Sequence, residues 1–580
     1  MKAGITAAQR RKWEMTWLFR YAGPVTCQRP EIQHAEHQAR PCLRAFVSPQ
    51  RGPLSSSAIF SQTAMRSKLA AAVAASLVLY GIATVIYRLF FHPFSKYPGP
   101  RLAAISNWYT TFFAWRGDLH LRVRDWHDKY GDVMRFGPNS VSFNTHTGMG
   151  AIYGARANVH KAEGYASMSA SRRTPNTITA VDKTVHGFKR RIMGQVFSDP
   201  GLRSVQDRFL MNIRDFTALL CYDDRPGSLD SGKNGSGWGP TKDMGRICGW
   251  LAFDIISGLC YDEDFRMLHS PDLRWFPSVI QKIGQRTMMC IVQPKVFDWK
   301  IDRVLMATQY REMLEAGSWI RRRAETRARL GNDIEQIDLF YKMMNATDPK
   351  TGQNFTQKDL WLESMLLLTA GSDTTSTAMS AVFFYLTHHP DVRARLTQEV
   401  RTTFTNEEEI CMGPQLNGCE FLRACVNETM RLIPSVSGVP PRKVQAGGIT
   451  VDGEYIPAGM TVGTSIYTIQ RNPHYFFAPD EFHPERWIID VDAGIDEESV
   501  KTVWQAFCPF GIGSRSCVGW RLAWVELNVA VARTIFLYDM RLAPDAPCCG
   551  GSLAGCGYGF KGWMTSAVEG PLAQFRPRQS

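Results

Sequence analysis

The residues best equipped for chemistry lie near the C-terminus, in Phe510-Gly511-Ile512-Gly513-Ser514-Arg515-Ser516-Cys517-Val518-Gly519. One cysteine, Cys517, sits among three glycines and one arginine. A helical apolar pattern (Leu522, Val525, Val529, Ala532, Phe536) follows at once. A cysteine at a helix start has its thiolate stabilised by the helix dipole and by nearby N–H groups. Glycine lets the backbone approach a flat ligand where a Cβ would collide. That makes Phe510, Gly511 and Gly519 candidate lining residues. The fork of Arg515 suits a carboxylate. Together these features fit an anionic sulfur beneath a flat ring that carries acidic side groups.

Three further groups carry polar chemistry. Ala370-Gly371-Ser372-Asp373-Thr374-Thr375 sets an acid beside a hydroxyl inside an apolar stretch. A buried Asp is costly unless paired, and the Thr374 hydroxyl can return to the carbonyl one turn back and distort the helix. Glu428 and Arg431 stand three residues apart in another largely apolar helix, so they share a face as a buried pair. His186 and Arg190 are spaced by one helical turn, and Arg442 follows Pro440-Pro441.

These residues need a large, mostly helical frame. Asp359 to Leu386 predicts a long central helix, apolar around much of its circumference. Cys419 to Ile433 predicts a second. Short β-rich runs punctuated by Asp452-Gly453 and Pro457-Ala458-Gly459 fall near 449–470, and 222–242 reads as a surface loop. The expected fold is mainly α with minor β: one large domain over 101–580. Ahead of it, Leu69 to Tyr87 holds 19 residues without a charge. At about 1.5 Å per residue this reaches roughly 28 Å, the hydrocarbon thickness of a bilayer. Residues 69–87 are therefore expected to be a transmembrane anchor. Residues 88–100, with Tyr97-Pro98-Gly99-Pro100, are expected to form a stiff hinge. Residues 1–64 hold nine basic and three acidic side chains. They read as a targeting segment or as sequence upstream of a true start at Met65.

Composition narrows the function. The net charge of +13 comes without a basic run interleaved with aromatics, so no nucleic-acid partner is expected. The 14 cysteines form no CxxC pair, which excludes a zinc ribbon or a compact disulfide scaffold. No flavin- or nucleotide-binding fingerprint is present.

The loop at 510–519 matches the cysteine-ligand loop FxxGxRxCxG, and the chain from about 90 to 570 resembles the cytochrome P450 family. The resemblance implies a haem-thiolate fold with haem b held by Cys517, and Asp373 and Thr374 relaying protons in an oxygen groove. It implies Arg515, Arg442, Arg190 and His186 toward the haem propionates; His186 departs from the family's commoner Trp. It also implies that Glu428 and Arg431 bond to Arg486 of Phe482-His483-Pro484-Glu485-Arg486-Trp487 as a structural network. Substrate-facing stretches would be Leu366–Ala370, Ser435–Val439 and Cys556–Trp563. The implied activity is oxidation of an apolar small molecule. O2 would be the oxidant, and NADPH would supply electrons through a separate cytochrome P450 reductase. The implied site is the endoplasmic reticulum membrane, single-pass, with the catalytic domain cytosolic. Phrases such as YRLFFHPFSKYPGPRLAAISNWY resemble filamentous-fungal members of secondary metabolism. Two alternatives stay open: a reductase-independent isomerase or dehydratase on the same haem, and a non-enzymatic membrane haem carrier or sensor.

Overall fold

The computed structural model describes residues 56–169, 174–221, 237–261, 265–334, 337–546 and 558–578. Most of the 1–64 extension and of the 222–242 loop falls outside these residues, as do Cys556 and Cys548–Cys549. The chain divides into two compact units, 1–78 and 79–580. The boundary lies inside helix α1 (Ser56–Ile86). From Met65 to Phe91 the helical segment is apolar over 27 residues and none of it is buried. It begins earlier and ends later than the 69–87 run. Such a length, at about 1.5 Å per residue, is ample for a bilayer.

In the larger unit, residues 92–100 lie against the body. His92, Phe94 and Tyr97 are buried, and the Arg135 N–H bonds to Pro98 O at 2.7 Å. Gly99 has φ +156, and a Cβ there would stand 2.1 Å from Arg135 O.

The body is helical, with α2 (Lys183–Val196), α3 (Met244–Tyr261), α4 (Phe276–Val292), α5 (Gln357–His388), α6 (Glu420–Leu432) and α7 (Trp520–Leu537) framing the site. The three helices expected from sequence are present, each within two residues of the pattern that marked it. α5 starts where Thr356 and Asp359 form a reciprocal capping box. Its apolar circumference is matched by burial of most of its residues among α3, α4, α6 and α7. Gly371 has a packing reason: a Cβ there would press on Ile256 Cδ1 of α3 at 3.1 Å.

The strands are short. A five-stranded sheet runs β1 (Val133–Gly137), β2 (Ser140–Phe143), β8 (Thr461–Gly463), β5 (Arg442–Val444) and β3 (Val159–Lys161), with only β2–β8 parallel. β4 (Lys242–Asp243), β12 (Leu572–Pro577) and β9 (Tyr538–Leu542) form a second sheet. Two hairpins complete the set, β6 (Ile449–Val451) with β7 (Glu454–Ile456), and β10 (Phe560–Gly562) with β11 (Ser566–Val568). The expected β run at 449–470 thus stops at Gly463, and Ile466–Ile469 turns helical behind a Ser465 cap.

Candidate active site

A cavity of about 320 Å³ lies between the 510–519 loop and α5. Most of its lining surface is apolar. Phe510, Gly511, Arg515, Cys517 and Gly519 form one side, and Ala370, Gly371 and Thr374 contribute from α5. His186, Arg190 and Arg442 also reach it. The residues expected to hold the cofactor therefore converge on one space with Thr374; Asp373 is buried but does not line it, and Glu428, Arg431 and Arg486 lie outside it.

The cysteine loop closes through Cys517 N–H to Phe510 O at 2.8 Å. Gly511 and Gly513 take φ +64 and +71. Gly513 is required by the protein rather than by a ligand: a Cβ there would meet Tyr153 O at 2.1 Å. Gly519 is the N-cap residue of α7, two residues after Cys517. Cys517 opens to the cavity yet lies deep in the body. Burial therefore pushes its thiol up, while the Gly519 N–H and the Arg190 guanidinium pull it down. Arg190 clasps the same loop from α2, donating to Ser516 O at 2.5 Å and Ser516 Oγ at 3.3 Å.

Cations crowd the cavity edge. Arg515 donates to Ala180 O at 2.5 Å and Val181 O at 3.0 Å. Arg442 lies 4.9 Å over the Tyr153 ring. Directly opposite Arg442 across the β3–β5 pairing stands Lys161, which carried no signal in the sequence. Lys161 is buried and lines the cavity. Burial, then Arg442, Arg515 and Arg190, drive its ammonium well below the ordinary lysine range. Arg515 falls to about 10, chiefly through burial and then Arg442. His186 falls to about 3, first by burial and then by the same cations, so it is neutral at physiological pH. Among the described residues no carboxylate forms an ion pair with any of the four. Like charges opposed across a strand pair are unfavourable unless an anion joins them. The donor set fits haem b, whose two propionates would meet this cluster while its iron met the Cys517 sulfur. The glycine-lined loop suits a flat ring.

On the α5 side, Thr374 Oγ1 returns to Ala370 O at 2.7 Å, the bond expected from sequence. The helix stays α-helical through it. The Asp373 carboxyl accepts a hydrogen bond from Thr565 Oγ1. Burial raises it to about 6, with Thr565 pulling it down. Glu526 of α7 is a second residue that the motifs did not point to. It lines the cavity and is raised by burial to about 8, with Thr375 pulling it down. Its signal was legible as a lone carboxylate within the buried face of Leu522 to Phe536.

Behind the cavity, Glu428 is wholly enclosed. It accepts from Arg431 Nε and Nη2, both at 2.8 Å, from Arg486 Nε at 3.0 Å, from His483 N–H at 3.0 Å and from Trp487 Nε1 at 3.0 Å. These bonds outweigh burial and hold the carboxyl below its ordinary range, the Arg431 charge first among them.

Comparison with known proteins agrees with this geometry. The cytochrome P450 family model matches residues 98–548. The cytochrome P450 monooxygenase atnE of Emericella nidulans is 36% identical over 494 residues, 85% of this chain and 94% of its own length. The cytochrome P450 monooxygenase AKT7 of Alternaria alternata is 35% identical, covering 87% of this chain and 97% of its own. Among solved structures, the heme domain of cytochrome P450DA matches with a TM-score of 0.63 at 18% identity, over 80% of this chain and 94% of that one. At that identity the likeness speaks for the fold alone.

Proposed function

The chain belongs to the cytochrome P450 family of monooxygenases, and from that premise we propose that it oxidises an apolar organic molecule of fungal secondary metabolism. The electrons come from NADPH through a separate cytochrome P450 reductase, since the sequence carries no nucleotide-binding fingerprint. The observation that carries this reading is the joint placement of Cys517, two buried and two half-buried cations and the Thr374 face of α5 around one apolar cavity.

Haem b supplies the oxygen-activating chemistry when bound, and every other contribution belongs to the chain. Cys517 is the proposed metal ligand, and the Gly519 N–H and the Arg190 charge offset part of the burial that raises its thiol. Lys161, Arg190, Arg442 and Arg515 neutralise the two propionates, and neutral His186 can donate a hydrogen bond beside them. Phe510, Gly511 and Gly519 line the ring's contact surface. The apolar walls, including Met193, Ile256 and Met430, exclude water and hold substrate by burial. Asp373 holds a proton close to neutral pH and Thr374 presents a hydroxyl to the cavity. The Glu428–Arg431–Arg486 network fixes the backbone behind the site and touches no substrate.

The exposed apolar helix from Met65 to Phe91 serves as a single-pass anchor, which we place in the endoplasmic reticulum membrane with the catalytic domain cytosolic. The test is a reduced carbon monoxide difference spectrum followed by product analysis with purified reductase, NADPH and a panel of apolar polycyclic substrates. We expect the thiolate signature and NADPH-dependent oxygenated products. Products formed without NADPH would favour the isomerase reading, and a haem protein that never consumes NADPH would favour a carrier.

A further inference from the structure

Asp373 and Thr374 are neighbours on α5 but face different ways. Thr374 lines the cavity; Asp373 does not, and its carboxyl accepts from Thr565 Oγ1. Thr565 stands in the turn between β10 and β11. Both ends of that hairpin are pinned. Gly562 N–H bonds to Gly117 O at 2.7 Å, Ser566 N–H to Ser435 O at 2.8 Å and Ser566 Oγ to Pro434 O at 2.7 Å. Thr377 Oγ1 of α5 donates to Ser566 O at 2.7 Å. Between the pins, Met564 lines the cavity and is tied by a longer bond, 3.3 Å from its N–H to Gly284 O. The turn holding Thr565 is tied by longer bonds than the strand ends beside it, Trp563 Nε1 donating to Trp115 O at 3.2 Å.

To deliver a proton on the Thr374 side, the carboxyl must first leave Thr565. We propose that Thr565 is a positioning residue that latches the Asp373 carboxyl out of the cavity, so that proton delivery waits on its release. The inference rests on the proton-carrying role proposed above for Asp373. The hydroxyl-to-carboxylate bond is strong enough to bias the rotamer and weak enough to break: one such bond shifts an equilibrium by roughly ten-fold. A latched majority and a released minority then interconvert on the side-chain timescale. Among the described residues no charged side chain bears on this carboxyl; burial and the Thr565 donor set its protonation, raised to about 6. Removal of the donor must therefore move protonation toward higher pH.

The test uses the haem-loaded full chain labelled at aspartate carbons, with Asp373→Asn as the spectral blank. The Asp373 carboxyl is titrated by infrared difference spectroscopy in wild type, Thr565→Val and Thr565→Ser. We expect Thr565→Val to raise the midpoint by roughly one pH unit, as one charge-assisted bond predicts, and Thr565→Ser to keep the wild-type midpoint. With purified reductase and NADPH and no added substrate, Thr565→Val should release peroxide several-fold faster than wild type while Thr565→Ser should not. An unchanged midpoint in Thr565→Val would overturn the latch. A raised midpoint with unchanged peroxide release would overturn its control of proton delivery. If valine lowers the melting temperature, Thr565→Ala removes the same hydroxyl without the added bulk and is read in its place. The infrared arm needs no turnover. A wild type that consumes no NADPH would therefore count against the proposed function, while the titration midpoints would still decide whether Thr565 holds the carboxyl.

Discussion

Two buried carboxylates of this protein lie on opposite sides of the candidate site and behave in opposite ways. Glu428, behind the cysteine loop, receives five hydrogen bonds, three of them from two guanidiniums. Asp373, on α5, receives one from Thr565. Both are enclosed, so both suffer the same desolvation. Saturation with cationic donors reverses that penalty at Glu428, whose pKa is lowered, and a lone hydroxyl fails to reverse it at Asp373, which rises to about 6. The first is a fixed charge suited to holding backbone in place. The second can gain or lose a proton near neutral pH, as proton delivery requires. Burial alone does not tell a structural acid from a working one; the count and charge of the donors does.

Breaking the saturated side should have the largest effect. Glu428→Ala leaves Arg431 and Arg486 as buried, unpaired cations, and losing one partner of such a pair costs about 3–5 kcal/mol. We expect little haem-loaded protein and a collapsed melting transition, measured by thermal unfolding and by haem content. A near-normal melt would erase the distinction between the two carboxylates.

Breaking the sparse side should leave the fold intact. Asp373→Asn keeps the shape and the ability to accept from Thr565, so the melting temperature should stay close to wild type. Product formation with reductase should fall by about 10²-fold, the usual scale of a lost proton carrier. Loss of stability comparable to Glu428→Ala would assign Asp373 a structural role instead.

The difference in donor count also explains what was legible in the sequence. Cys517, Arg515, Glu428 and Arg431 sit in short motifs, Arg486 joins them through the family resemblance, and α5 declares itself by an apolar circumference. Lys161 carried no such mark. It meets Arg442 only because β3 pairs with β5, across about 280 residues of chain, and the strand is three residues long. Thr565 is equally silent, since its meaning comes from a hairpin turn that touches α5 from almost 200 residues away. Local periodicity fixes which face a residue takes; long-range pairing of short elements decides whom it meets, and that was hidden.

Glu526 sharpens the comparison, because it is a third buried carboxylate, with only Thr375 working against its burial. Its carboxyl is raised from 4.5 to about 8 by burial. The folded state therefore holds a proton that the unfolded chain has already lost above pH 4.5. The stability this group contributes is present below pH 4.5 and is lost as the pH climbs to about 8. Glu526→Gln, which keeps the shape without the titrating group, should abolish that loss. We expect the variant to gain on the order of 2 kcal/mol over wild type at pH 8.5 and almost nothing at pH 5, read from denaturant unfolding. A wild-type stability flat between those pH values would place Glu526 with Glu428.

The smallest effect should come from Lys161, which donates to Ile178 O but whose role turns on the charges around it. Lys161→Met removes one of four cations while preserving length and apolar contact. Three guanidiniums remain for two propionates, so loading should persist. The lost cation should cost about 1 kcal/mol of haem affinity, a release rate roughly five-fold faster, measured by transfer to a scavenging apo-globin. Without haem the same substitution should act in the other direction. Lys161 is forced well below its ordinary range by burial and by Arg442, Arg515 and Arg190. Relieving that crowding should raise the melting temperature of the haem-free chain. Opposite signs in the two states are the signature of a charge kept for a ligand, and matching signs would make Lys161 a packing residue.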